Sequence, residues 1–124
     1  MEDRMDILVI SPRPALWDGM KPVFEKFGAS VRMAATMEAG LESLSAQKAS
    51  LALIDLELGI EDLRKAVISV LLVDAMTNLA SVCGMSEEVF HDSMEGLGMI
   101  MDLPRQPGEE DLEDLLGRLS VILG

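Results

Sequence analysis

Short, uninterrupted apolar runs alternate along this chain with segments of helical period, and that alternation limits its fold more than any other feature. Ile7-Leu8-Val9-Ile10 and Leu51-Ala52-Leu53-Ile54 turn no polar side to water, which suits strands covered on both faces. Ser11-Pro12-Arg13-Pro14 ends the first run, because proline has no N–H to give to a ladder. Over 15–27 the apolar residues Leu16, Met20, Val23, Phe24 and Phe27 recur at helical spacing, with Gly28 closing the helix and Pro22 expected to bend it. Residues 30–34 read as a second strand, and Thr36 is a fitting N-cap for a short helix carrying Ala39, Leu41 and Leu44.

Beyond Asp55, residues 60–66 allow a brief helix. The branched residues of 67–73 then predict a fourth strand ending at Asp74. Residues 75–96 return to helical period and predict two short helices, divided at Gly84-Met85-Ser86, with Ser86 capping the second. Residues 97–101 read as strand five. Pro107-Gly108 introduces a last helix with the stripe Leu112, Leu115, Leu116, Leu119 and Ile122, and the acids at its start suit the helix dipole. Strands and helices alternating in this way imply one α/β domain over 1–124, a doubly wound, five-stranded parallel sheet with helices on both faces, as in flavodoxin-like three-layer sandwiches. In such sheets the working crevice lies beyond the carboxyl ends of the strands, which directs attention to Ser11, Asp55, Asp74 and 102–104.

Composition narrows the function. A formal charge of −12, from 22 acids against 10 bases, repels nucleic-acid backbones and anionic lipid. No apolar run approaches the roughly 20 residues that span a bilayer. The acidic opening, Met1-Glu2-Asp3-Arg4-Met5-Asp6, does not look like a secretory signal, so a cytoplasmic protein is expected. One cysteine, Cys83, and one histidine, His91, make neither a disulfide nor a soft-metal cluster, and no metal is expected. Cys83 reads as buried filler, His91 as a solvated residue and Trp17 as core or interface. The loop 11–14 has two prolines and no glycine to cradle a phosphate, and aromatic residues are scarce, so neither flavin nor nucleotide is expected as a cofactor.

Ala35-Thr36-Met37-Glu38-Ala39-Gly40-Leu41-Glu42-Ser43-Leu44, followed by Leu51-Ala52-Leu53-Ile54-Asp55-Leu56, resembles the second helix and third strand of CheY-like response-regulator receiver domains. The resemblance places Asp55 at the phosphoryl-acceptor position. It also marks departures. Ser11 and Pro12 stand where receivers carry a magnesium-holding acid pair, Asp74 where they carry a strand-four Thr or Ser, and Leu103-Pro104 where they carry Lys-Pro. A carboxylate without metal and clamp cannot accept a phosphoryl group efficiently. The expected function is therefore that of a pseudo-receiver: a non-enzymatic signalling domain that binds a partner protein, or a second copy of itself, with no phosphorylation cycle. One alternative keeps Asp55 phosphorylatable, with Asp74 or Asp102 supplying a rearranged metal site; a second is a flavodoxin-like ligand-binding domain. The expected interface is 75–96 with strand five and the last helix, where Val89, Phe90 and Met94 offer apolar side chains. On this reading Asp55→Asn should leave the fold and partner binding nearly intact.

Overall fold

The computed structural model describes residues 5–124; the acidic opening of the chain, residues 1–4, lies outside them. The elements run β1 (Asp6–Ile10), α1 (Pro14–Asp18), α2 (Lys21–Lys26), β2 (Ser30–Ala34), α3 (Met37–Ala46), β3 (Leu51–Ile54), α4 (Ile60–Val73), β4 (Asn78–Ser81), α5 (Glu87–Met94), β5 (Met99–Asp102) and α6 (Glu109–Leu123). All strands are parallel, in the order β2-β1-β3-β4-β5, so β3 is central and both edges are strands. Every residue of β3 is buried, as its unbroken apolar run requires.

The sheet divides the core in two. Ile7, Val9, Leu51 and Leu53 face α1, α2 and α6, where Trp17, Phe24, Leu112, Leu115, Leu116 and Leu119 cover them. Leu8, Ile10, Ala52 and Ile54 face α3, α4 and α5, meeting Leu44, Leu63, Val67 and Met94. The α/β class, the doubly wound sheet and the stripe of α6 match the periodicity, apart from Ile122, which is exposed. Among the described residues no helix is long and apolar enough to cross a membrane.

Residues 67–73 correct the sequence reading. They are not a strand but the second half of the 14-residue α4. Leu63, Ala66, Val67 and Val70 share one buried stripe at helical spacing, while Ile68, Leu72 and Val73 stay exposed. A strand in a sheet covered on both faces would bury the whole run, whereas burial here follows helical spacing, so packing outweighs the β preference of branched side chains. Strand four is Asn78–Ser81, and Asp74 is the C-cap of α4, ahead of the strand rather than at its carboxyl end. The first of the two helices expected in 75–96 is therefore a turn and a strand, and only the Ser86-capped α5 forms, with Ser86 accepting from Val89 N–H. The expected first helix also divides, at Gly19-Met20. Pro22 opens α2 rather than bending a longer helix, since its missing N–H costs nothing in a first turn.

Gly40 lets α3 lie close on β1. A Cβ there would meet Ile10 Cδ1 at 2.6 Å and Cγ1 at 2.7 Å, and Ile10 is fully buried, so the core around it would have to shift. Overpacking costs about 1–3 kcal/mol, against about 1 kcal/mol gained from alanine's helix propensity. Gly40→Ala should therefore lower stability by about 1 kcal/mol in urea unfolding, and a stabilised variant would mean that α3 is free to shift.

Candidate functional site

The carboxyl ends of β1 and β3 meet at one carboxylate. Asp55 follows β3 directly, its N–H bonded to Ile10 O at 2.8 Å, while Ser11 follows β1 and bonds Ala34 O at 2.8 Å. These ladder bonds bring the two side chains together: Ser11 Oγ donates to Asp55 Oδ2 at 2.7 Å. Pro14 starts α1 at once, which places Trp17 in its first turn, and the Trp17 indole N–H donates to Oδ2 at 3.0 Å. Arg13 lies over the same group, with Nε 3.1 Å from Oδ2 and an Nη 2.7 Å from Oδ1. That Nη also donates to Arg105 O at 3.1 Å, tying the loop after β5 to the loop after β1.

Asp55 is 5% exposed, so burial by itself pushes its carboxyl up; the hydrogen bonds from Arg13, Ser11 and Trp17 outweigh burial and leave its pKa below the ordinary value. The Arg13 guanidinium is held above its usual value by its hydrogen bond to Asp55. Oδ2 accepts from Ser11, Arg13 and Trp17 together and is saturated, while Oδ1 accepts from Arg13, so the one oxygen with a lone pair to spare has the guanidinium directly against it. A cleft of about 330 Å³ opens beside the pair, lined by Pro12, Arg13, Asp55, Glu57, Arg105 and Gln106 among others.

The residues present do not fit the divalent cation that the resemblance implies. Pro12 has no ligating side-chain atom, Ser11 gives its hydroxyl proton to Asp55, and the Arg13 fork lies on the carboxylate oxygens a metal would need. Nor do Asp74 and Asp102 rebuild a site. Asp74 Oδ1 accepts from Met76 N–H at 3.0 Å in the turn after α4, away from the strand ends. Asp102 Oδ1 accepts from Ser81 Oγ at 2.6 Å and Cys83 N–H at 2.8 Å, and Oδ2 from Met85 N–H at 2.6 Å. Among the described residues no three acids, histidines or cysteines group around a point.

Moving strand four revises one departure from the receiver pattern. Its last residue is Ser81, fully buried, so a hydroxyl does stand where Asp74 was expected. Its proton, however, goes to Asp102. Leu103 is fully buried in the core, with its N–H on Ser81 O at 2.7 Å, and Pro104 is exposed, so no lysine reaches the carboxylate from this loop. Burial pushes the Cys83 thiol up, and the Asp102 carboxylate adds to that.

The expected interface residues separate. Val89 is 38% exposed and Phe90 half-buried, edge-on to the His91 ring at 5.9 Å. Met94 is 3% exposed and belongs to the core beneath α5, because the single helix lays that side on the sheet. Sequence reasoning missed Arg13, Trp17 as a hydrogen-bond donor, and Ser81. A base three residues past a strand end and a tryptophan four residues later on a helix were a usable signal; Ser81 had none, because Asn78-Leu79-Ala80-Ser81 is weakly strand-like.

No protein-family model matches the chain, and no curated protein is similar to it in sequence. Solved structures are similar in fold. A two-component response regulator from Clostridium difficile is 18% identical at a TM-score of 0.76, over 97% of this chain and 96% of the other. A CheY-like receiver domain protein from Methanospirillum hungatei is 23% identical at 0.71, over 96% of each chain. The receiver domain of a sensor histidine kinase from Pseudomonas aeruginosa, with magnesium coordinated in its active-site cleft, is 16% identical at 0.71, over 94% of this chain and 98% of its own. The fold is that of a response-regulator receiver domain.

Proposed function

We propose that this chain is a pseudo-receiver, a signalling domain in which a fixed internal ion pair stands in for the metal and phosphoryl chemistry of the fold, and which works by binding another protein. The observation that carries the reading is the Arg13 fork on Asp55, with Ser11 and Trp17 completing the carboxylate's partners. A nucleophilic carboxylate must present a lone pair to phosphorus while a cation draws charge from the phosphoryl oxygens. Here the cation is spent on the nucleophile itself.

The docking face we assign is formed by α5, β5 and α6. Clefts of about 440 and 300 Å³ lie along it, with Phe90, Met99, Ile100 and Met101 as apolar floor. Glu87, Asp92 and Glu95 rim these clefts, while Asp114 is paired with Arg118 at 3.1 Å, and the acidic excess favours a partner carrying basic residues around an apolar centre.

Incubation with magnesium and acetyl phosphate, followed by mass spectrometry of the intact chain, tests the reading. The expected result is no added phosphoryl group and no change in the emission of Trp17, which touches the carboxylate. A phosphorylated Asp55 would return the chain to the working receivers.

A further inference from the structure

Among the described residues no strand pairs with the outer edge of β2, and its backbone and side chains both suit a copy of itself. Ser30 N–H donates to Met5 O and Ala34 O accepts from Ser11 N–H, both at 2.8 Å, so the even-numbered residues of β2 spend their backbone groups on β1. Successive residues alternate, so Val31 and Met33 turn N–H and C=O to the other side, where the sheet has no further strand among the described residues. Their side chains are 38% and 40% exposed and floor a groove of about 330 Å³ walled by Trp17 and Phe24. The opposite edge strand, β5, has no exposed residue.

We propose that two copies of this chain pair antiparallel along β2, about a two-fold axis at Arg32. In that register each Val31 lies opposite a Met33 of the second copy, and the pair exchanges both of its backbone hydrogen bonds. Val31 and Met33 share one face, so the cross-strand contacts are apolar and extend the core of each copy. The Arg32 guanidinium is drawn back onto its own α3 by Ser43 Oγ at 2.7 Å and by Gln47 O, which keeps the two cations from meeting on the axis.

Charge selects a second copy as the occupant. In a chain with 22 acids and net charge −12, two copies repel almost wherever they touch, yet residues 27–37 contain no acid. The groove rim carries both signs, Asp18 and Glu25 with Lys21, so rotation about a two-fold axis can set base against acid.

Sedimentation of the chain from micromolar to millimolar concentration, with amide exchange read residue by residue, tests the pairing. The expected result is a mass that doubles with concentration, and exchange at Val31 and Met33 that slows about tenfold as it does. Met33→Lys reduces the net negative charge, so general repulsion cannot explain its expected failure to dimerise. Leu72→Glu, on the exposed end of α4, and Phe90→Glu should still dimerise. A chain that stays monomeric at millimolar concentration, or a dimer in which Val31 and Met33 exchange as fast as in the monomer, overturns the proposal. The exchange measurement on the unaltered chain decides this even if Met33→Lys fails to fold.

Discussion

Asp102→Ala should destabilise the fold by about 3 kcal/mol, because it orphans three donors at once. The Ser81 hydroxyl is fully buried and has this carboxylate as its acceptor, while the amides of Cys83 and Met85 are half-buried. A buried donor left without a partner costs about 1–3 kcal/mol, and the two loop amides can recover part of that by reaching water. The carboxylate also fixes the turn from β4 towards α5, so its loss loosens the assigned docking face. Asp102→Asn should recover about half, since its carbonyl oxygen can accept for Ser81 and Cys83 while its amide nitrogen cannot accept from Met85. Urea unfolding reads both. A loss under about 1 kcal/mol for Asp102→Ala would show that the loop holds itself without this residue.

Arg13→Met should cost about 2 kcal/mol, because it leaves the Asp55 carboxylate buried with two neutral donors and no cation. Removing one member of a fully buried pair costs more than this; here the Arg13 side chain is 34% exposed, and water already screens part of the attraction. For a chain of this size the loss lowers the melting temperature by roughly 8 °C. Trp17 is the chain's one tryptophan and touches the carboxylate, so its emission should move with the substitution.

The pH dependence follows in sign. The Asp55 pKa in the fold lies below that of an unfolded aspartate, about 3.9, so the ion pair's contribution is present above that pH and is lost as pH falls through the folded value. Asp55→Asn should remove that part of the acid sensitivity. It should also lower stability near neutral pH, because an amide cannot accept from all the donors converging on the carboxylate; the expectation of a nearly silent substitution changes accordingly. Arg13→Met within about 0.5 kcal/mol of the unaltered chain would sink the view that this pair holds the strand ends together.

Much of the architecture was legible in the order of residues. β1 and β3 are apolar runs that no amphipathic surface could accommodate, Thr36 and Ser86 are capping residues whose position marks a helix start, and α6 has a regular leucine stripe. Residues 67–73 were misread because branched residues sit equally well on a pleated strand and on a helix buried along one side. Local preference does not choose between them; the neighbours that bury Val67 and Val70 do. Strand four went unseen for the converse reason, since Asn78-Leu79-Ala80-Ser81 is stabilised by the strands on either side of it rather than by its own preferences.

At the site, the sequence by itself determined that Asp55 closes a buried strand and that no acid pair follows β1 and no lysine precedes Pro104, because those are facts of composition at positions set by clear periodicity. The tertiary structure alone decided what takes their place. Arg13 and Asp55 are 42 residues apart along the chain, and Ser81 and Asp102 are 21 apart; each pair meets because parallel strands bring their carboxyl ends to one edge of the sheet. A salt bridge between loops is a matter of distance and burial. Neither is carried by any one segment until the sheet assembles.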